Sequence, residues 1–215
     1  MSPLIAVGGH TRNIGKTSVM AGIIKALPEC GWTAVKITQF GHGVCSATGV
    51  GCECCLESEH PYAIQQEHHP NRSDSGRFLA AGARRSFWLR TAMGQLQAAH
   101  EILEELRASS RNLIVESNSI LELMKPDLYL VVLDFARDDF KASSRRFLKD
   151  ADAYITIERG MEAAPSWKDV AQDFCRSTPR FPVRPPQYVT AGLAAFVRER
   201  LLTVSDGAVS RDAPV

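Results

Sequence analysis

Apolar residues along this chain fall into short blocks whose spacing alternates between that of buried strands and that of helices with one buried face. Leu4 to Val7 is an unbroken apolar run of strand length. After a glycine-bearing stretch, Val19, Met20, Ile23, Ile24 and Leu27 recur at helical spacing, and Pro28 ends the run. Thr33 to Thr38 reads as a second strand. From Gln39 to about Asn71 the sequence is rich in Gly, Cys, His and Glu and keeps no steady period, which predicts a long functional or mobile loop. A short helix follows from about Asp74 to Ala81, stopped by Gly82, and then a strand, Ser86 to Leu89. Leu96, Ala99, Leu103 and Leu106 mark one face of the next helix.

Three further strands are predicted at "NLIVES" (Asn112 to Ser117), "DLYLVVLD" (Asp127 to Asp134) and "AYITIE" (Ala153 to Glu158), with helical stretches around Ile120 and from Lys141 to Lys149. The Pro-rich "STPRFPVRPP" (Ser177 to Pro186) reads as an extended connector to a final amphipathic helix, Val189 to Leu202, and the polar end after Thr203 as frayed. Strands alternating with helices predict an α/β fold, a mostly parallel β-sheet with helices on both faces. The expected organisation is one domain over 1–203, carrying a Cys-rich insertion at about 39–71, with a disordered tail at 204–215.

Composition narrows the function classes. The chain has 215 residues, 45% of them hydrophobic, enough for one sizeable core. Its 25 basic and 24 acidic residues leave a formal charge of +1, which gives no global attraction to nucleic acid or to an anionic membrane surface. No apolar run reaches the roughly 20 residues of a membrane helix, and Pro3 to Val7 lacks the basic flank of a signal peptide. A soluble, cytoplasmic protein is expected.

The chemistry begins at "VGGHTRNIGKTSV" (Val7 to Val19). Gly9 to Thr17 form G-x-x-x-x-x-G-K-T between an apolar strand and a helix, one residue longer than the common phosphate-binding loop. At such a turn successive backbone N–H groups face one concavity at the positive end of the helix dipole. The candidate nucleotide contacts are Gly9, His10, Thr11, Arg12, Asn13, Ile14, Gly15, Lys16, Thr17 and Ser18, although His10 and Arg12 could equally face solvent. Lys16 would reach the β- and γ-phosphates and Thr17 would ligate Mg²⁺. Glu116 closes an apolar strand, where it could hold Mg²⁺ through water or orient an attacking water. Lys36, near the end of the second strand, would meet phosphate or a substrate anion, or be solvated. No N-K-x-D signature for guanine is present; Asp134 or Glu158, ending later strands, could read the base.

The longer loop resembles that of dethiobiotin synthetase, ParA/MinD and related P-loop proteins. "TAVKITQFGHG" and "SDSGRFLAAGARR" (Ser73 to Arg85) resemble the Lys-bearing strand end and the D-S-x-x-x-x-x-A-G-A segment of the molybdopterin-guanine dinucleotide biosynthesis adapter (MobB) family, and "LIVESNS" stands where that family has a strand ending in V-E-G. The likeness spans roughly the first 120 residues. Ser117 replaces the family's glycine, and a cysteine loop replaces its histidine-rich stretch. The resemblance implies the three-layer sandwich of the SIMIBI-class P-loop NTPases, Asp74 as a second acidic site residue or else only a helix cap, and binding of GTP with Mg²⁺ and weak hydrolysis. It further implies an adapter role in molybdenum cofactor biosynthesis through a partner enzyme. Homodimers are common among such relatives, and "RRSFWLR" (Arg84 to Arg90) could supply an edge strand for one.

Cys45, Cys52, Cys54 and Cys55 lie within "CSATGVGCECC", flanked by His42 and His60. Soft thiolates at this density suit Zn²⁺, another soft metal or a cluster better than they suit disulfides. The spacing is not that of paired C-x-x-C knuckles, so not all four are expected on one ion. Two other readings follow. One is a metal-handling GTPase like the nickel-maturation proteins, in which nucleotide state controls the Cys site. The other is an ATP-dependent ligase resembling dethiobiotin synthetase.

Overall fold

The computed structural model describes residues 1–40, 61–160, 167 and 177–209. Its frame is one eight-stranded sheet in the order β3-β4-β2-β5-β1-β6-β7-β8. The strands are β1 (Leu4–Gly9), β2 (Trp32–Phe40), β3 (Tyr62–Glu67), β4 (Arg85–Ala92), β5 (Asn112–Glu116), β6 (Leu128–Leu133), β7 (Ala153–Ile157) and β8 (Arg180–Val183). All pairings are parallel except β3 with β4. The helices are α1 (Lys16–Ala26), α2 (Asp74–Ala80), α3 (His100–Ala108), α4 (Ala142–Phe147) and α5 (Ala191–Val209).

Strand alternation sorts the apolar residues into two cores, one on each face of the sheet. Ile5, Val7, Ile114, Leu130, Val132 and Ile155 pack with α1, Phe78 of α2 and Leu193 and Val197 of α5. Leu4, Ala6, Leu113, Val115, Val131 and Tyr154 pack on the other side with Leu103 and Leu106 of α3 and Phe147 of α4. β1, β5 and β6 are buried along their whole length, which is why they read as unbroken apolar runs. The expected α/β architecture, a mostly parallel sheet with helices on both faces, is the one found.

Several expectations need correction. The aperiodic stretch to Asn71 contains β3, an edge strand with only Glu67 buried, so its sequence carries little apolar signal. The Pro-rich connector contains β8, which closes the opposite edge; Pro182 is tolerated there because an edge strand can leave one N–H position unpaired. Finally, β4 is not an edge: β3 covers it, so "RRSFWLR" is not open for strand pairing with another copy. The last helix continues past Thr203 to Val209. Among the described residues no helix is long and apolar enough to cross a membrane.

Candidate functional site

Because β1, β2 and β5 run parallel side by side, their C-terminal ends open on the same edge of the sheet as the N-terminus of α1. The loop between β1 and α1 turns through two left-handed residues, Asn13 (φ 57°) and Gly15 (φ 96°), the second of which caps α1. A side chain at Gly15 would be strained by that φ and would meet the Tyr188 ring at 2.6 Å. At Gly9 a Cβ would come within 3.0 Å of the Val132 carbonyl oxygen and within 2.8 Å of Ile14. Both glycines are therefore dictated by close approach of neighbouring groups.

The start of the loop is gripped from the segment just after β5 and from α4. The Asn118 amide accepts from Gly9 N–H and donates to Gly9 C=O, each at 2.9 Å, and also donates to Ser144 Oγ at 2.8 Å. Tyr129 OH donates to the same amide oxygen. Lys141 N–H donates to His10 C=O, and Thr11 Oγ1 donates to Asp139.

Four predicted residues converge beside this loop. Thr17 Oγ1 donates to Glu116 Oε2 at 2.7 Å. Lys36 Nζ bonds Glu116 Oε1 and stands 2.9 Å from Asp74 Oδ2. Glu116 is buried, with 3% of its surface exposed. Ser73 caps α2 by accepting from Gly76 N–H, so Asp74, the next residue, turns its carboxylate to Lys36 rather than to the helix end. Lys16 Nζ folds back over the loop onto Thr11 C=O. Burial lowers the Lys16 ammonium to about 8, although Glu116 opposes the shift. Burial also works against the charge of Lys36, but Glu116 and Asp74 outweigh it and hold that ammonium above its usual range.

Thr17 and Glu116 thus present hard oxygen donors side by side at the helix start, the chemistry that suits Mg²⁺. Ser18 Oγ accepts from Arg77 at 2.9 Å, and Arg77 also faces Asp74. Arg12 is exposed and Ile14 is core. Cys45, Cys52, Cys54 and Cys55 lie outside the described residues.

His10 is fully buried rather than solvent-facing. Its ring lies 4.5 Å from that of Trp167 and 5.5 Å from Phe140, on the sheet face opposite α1. Desolvation lowers its pKa from 6.5 to about 4. Between those values the unfolded chain takes up a proton that the folded chain refuses, so stability is full above pH 6.5 and falls as pH drops towards 4. The expected loss from this group is up to about 3 kcal/mol. Urea unfolding of wild type and His10→Asn at pH 7 and pH 5 checks it: the acid-side loss should be smaller in the variant, and equal losses would refute the assignment.

Asp134 is also wholly buried, accepting from Arg159 Nε at 2.8 Å and from Ala136 N–H. Glu158 is more open and pairs with Arg184 at 3.0 Å. Glu158 and Arg184, with Arg159, Gly160 and Pro185, line a cleft of about 500 Å³ at the ends of β7 and β8. Sequence reasoning missed Asn118, Arg77 and Tyr188. Arg77 stands on the helix that Asp74 begins and Asn118 just beyond Glu116, so proximity was a usable signal for those two; Tyr188 carried none.

No family model matches the chain, and no curated protein matches it by sequence. Solved structures do. HypB from Helicobacter pylori in complex with nickel superposes with a TM-score of 0.56 at 14% identity, over 94% of this chain and 88% of that one. FlhF complexed with GMPPNP/Mg²⁺ gives 0.46 at 16% identity, over 93% and 74%. LpxK from Aquifex aeolicus in complex with ATP gives 0.46 at 15%, over 84% and 53%. At these identities the likeness is one of fold, and that fold is the three-layer α/β sandwich of the P-loop NTPases.

Proposed function

We propose that this protein binds a nucleoside triphosphate with Mg²⁺ on the Gly9–Ser18 loop, with GTP favoured over ATP, and hydrolyses it weakly. The convergence of Lys16, Thr17, Lys36 and Glu116 at the N-terminus of α1 carries this reading. The backbone N–H groups of the loop would cradle the phosphates, and Lys16 would neutralise the β- and γ-oxygens. Thr17 and Glu116 would hold the Mg²⁺, which supplies charge neutralisation at those oxygens. Lys36, set between Glu116 and Asp74, keeps two carboxylates from repelling the triphosphate. Of the two strand-end acids, Glu158 at the cleft is the one able to accept from the N–H groups of a guanine, since Asp134 is buried against Arg159.

The likeness of the Lys36, Asp74 and Glu116 segments to the MobB family supports the finer reading: a homodimeric cytoplasmic adapter that assists a partner enzyme in molybdopterin guanine dinucleotide synthesis. A metal-handling maturation GTPase is the second reading. It is favoured by the cysteines between β2 and β3, the two strands that carry Lys36 and lead into Asp74, and by the fold shared with HypB, solved in complex with nickel. Calorimetric titration of GTP and ATP with Mg²⁺, on protein whose metal content is determined on the same sample, separates the readings. GTP binding to metal-free protein supports the adapter; GTP binding with about one soft metal ion per chain or dimer supports metal handling. ATP preference points to the ligase alternative, and binding of neither nucleotide overturns all three.

A further inference from the structure

The sheet register sets Glu116, Lys36, Trp88 and Gln65 in one row across β5, β2, β4 and β3. These side chains rise from the face that carries α1 and α2, since Lys36 bonds Glu116 and Trp88 Nε1 donates to Thr38 Oγ1 at 3.0 Å. One step further along β4, Arg90 pairs in register with Thr38 and lays its guanidinium 4.6 Å from the Trp88 ring centroid. Among the described residues three buried side-chain polar atoms lack a hydrogen-bond partner: His10 Nε2, Thr91 Oγ1 and Arg90 Nε. Of these only Arg90 carries a fixed positive charge. Arg85 also lies over a ring, that of Phe87, but it donates to Ser109 and Ser110. An Nε–H shielded from water and left without an acceptor, on a partly exposed guanidinium, is costly unless an acceptor completes it, and the planar fork of an arginine suits a carboxylate or a phosphate.

We infer that Arg90, stacked on Trp88 and bordered by Thr38 and Lys36, is the subsite for a second, anionic ligand bearing a carboxylate or phosphate group. It lies across Lys36 from Thr17 and the phosphate loop, so Lys36 separates the two anion positions and neutralises the gap between them. This rests on the nucleotide reading for its partner site, and it gives an NTP-dependent reaction the acceptor position that such chemistry needs.

The test uses the full chain saturated with a non-hydrolysable GTP analogue and Mg²⁺, titrated with inorganic phosphate and separately with succinate at matched ionic strength, with tryptophan emission as the readout. Wild type should bind at least one of the two saturably. Arg90→Gln should weaken that binding about tenfold or more, and Arg90→Lys, which keeps the charge but not the fork, should fall between. Analogue affinity should be unchanged in both variants. Whichever probe binds names the acceptor group. Equal affinity for the probes in wild type and Arg90→Gln, or no saturable binding of either probe, overturns the proposal. Failure of the analogue itself to bind instead refutes the nucleotide reading, and the contrast between wild type and Arg90→Gln with the probes still decides the role of Arg90.

Discussion

Replacing Lys16 with alanine should remove about 100-fold of the affinity for a nucleoside triphosphate, equivalent to about 2.7 kcal/mol, with the thermal stability of the chain close to that of wild type. Lys16 is the cation that folds over the loop, and it donates to the Thr11 carbonyl of that same loop, so the fold loses little when it goes. The triphosphate loses its main counter-ion. The depressed ammonium adds a second signature. With a pKa of about 8 in the free protein, Lys16 is mostly charged at pH 7 and mostly neutral by pH 9. Triphosphate affinity should therefore fall as pH rises through 8 in wild type, and this decline should be absent from Lys16→Ala. Calorimetric titration of both proteins at pH 7 and pH 9 checks it, and a variant that binds like wild type would remove Lys16 from the site.

The second large effect is on stability. Gly8 precedes the loop on β1, and a Cβ there would stand 2.1 Å from Asn118 Oδ1 and 2.6 Å from Tyr129 OH. Those two groups already bond one another, and the Asn118 amide grips Gly9 from both sides. Gly8→Ala cannot be accommodated by a rotamer change at its own site. It should displace Asn118, loosen the loop start and cost about 3 kcal/mol, lowering the melting temperature by about 6–12 °C. Pairing it with Asn118→Ala should give less than the sum of the single losses, because the obstacle and the bonds it breaks belong to the same side chain. Strict additivity would contradict the geometry.

How far the sequence reveals this site depends on how local its parts are. Gly9 to Ser18 and the strand and helix around them form one contiguous unit, and glycine placement, apolar period and the Lys-Thr pair all point the same way. The buried central strands were equally plain, since burial on both faces leaves an unbroken apolar run, as in β5 and β6. The edges were not. β3 shows solvent most of its side chains and β8 carries a proline, so neither has the pattern by which a strand is recognised.

Within the site, Glu116 could be read from its place at a strand end, whereas its bonds to Thr17 and Lys36 span 99 and 80 residues and exist only because β1, β5 and β2 are neighbours in the sheet. The same holds for Tyr188 against Gly15. His10 shows the reverse: a polar residue in a phosphate loop invites a contact with ligand, yet strand alternation turns it into the aromatic pocket of Phe140 and Trp167.

Hydrogen exchange on the full chain, with and without GTP and Mg²⁺, tests the central claim most directly, because the proposed cradle is made of backbone N–H groups. Slowed exchange should concentrate at Gly9 to Ser18 and at the start of α2 around Asp74. Slowed exchange confined to another part of the chain, or none at saturating nucleotide, would contradict it.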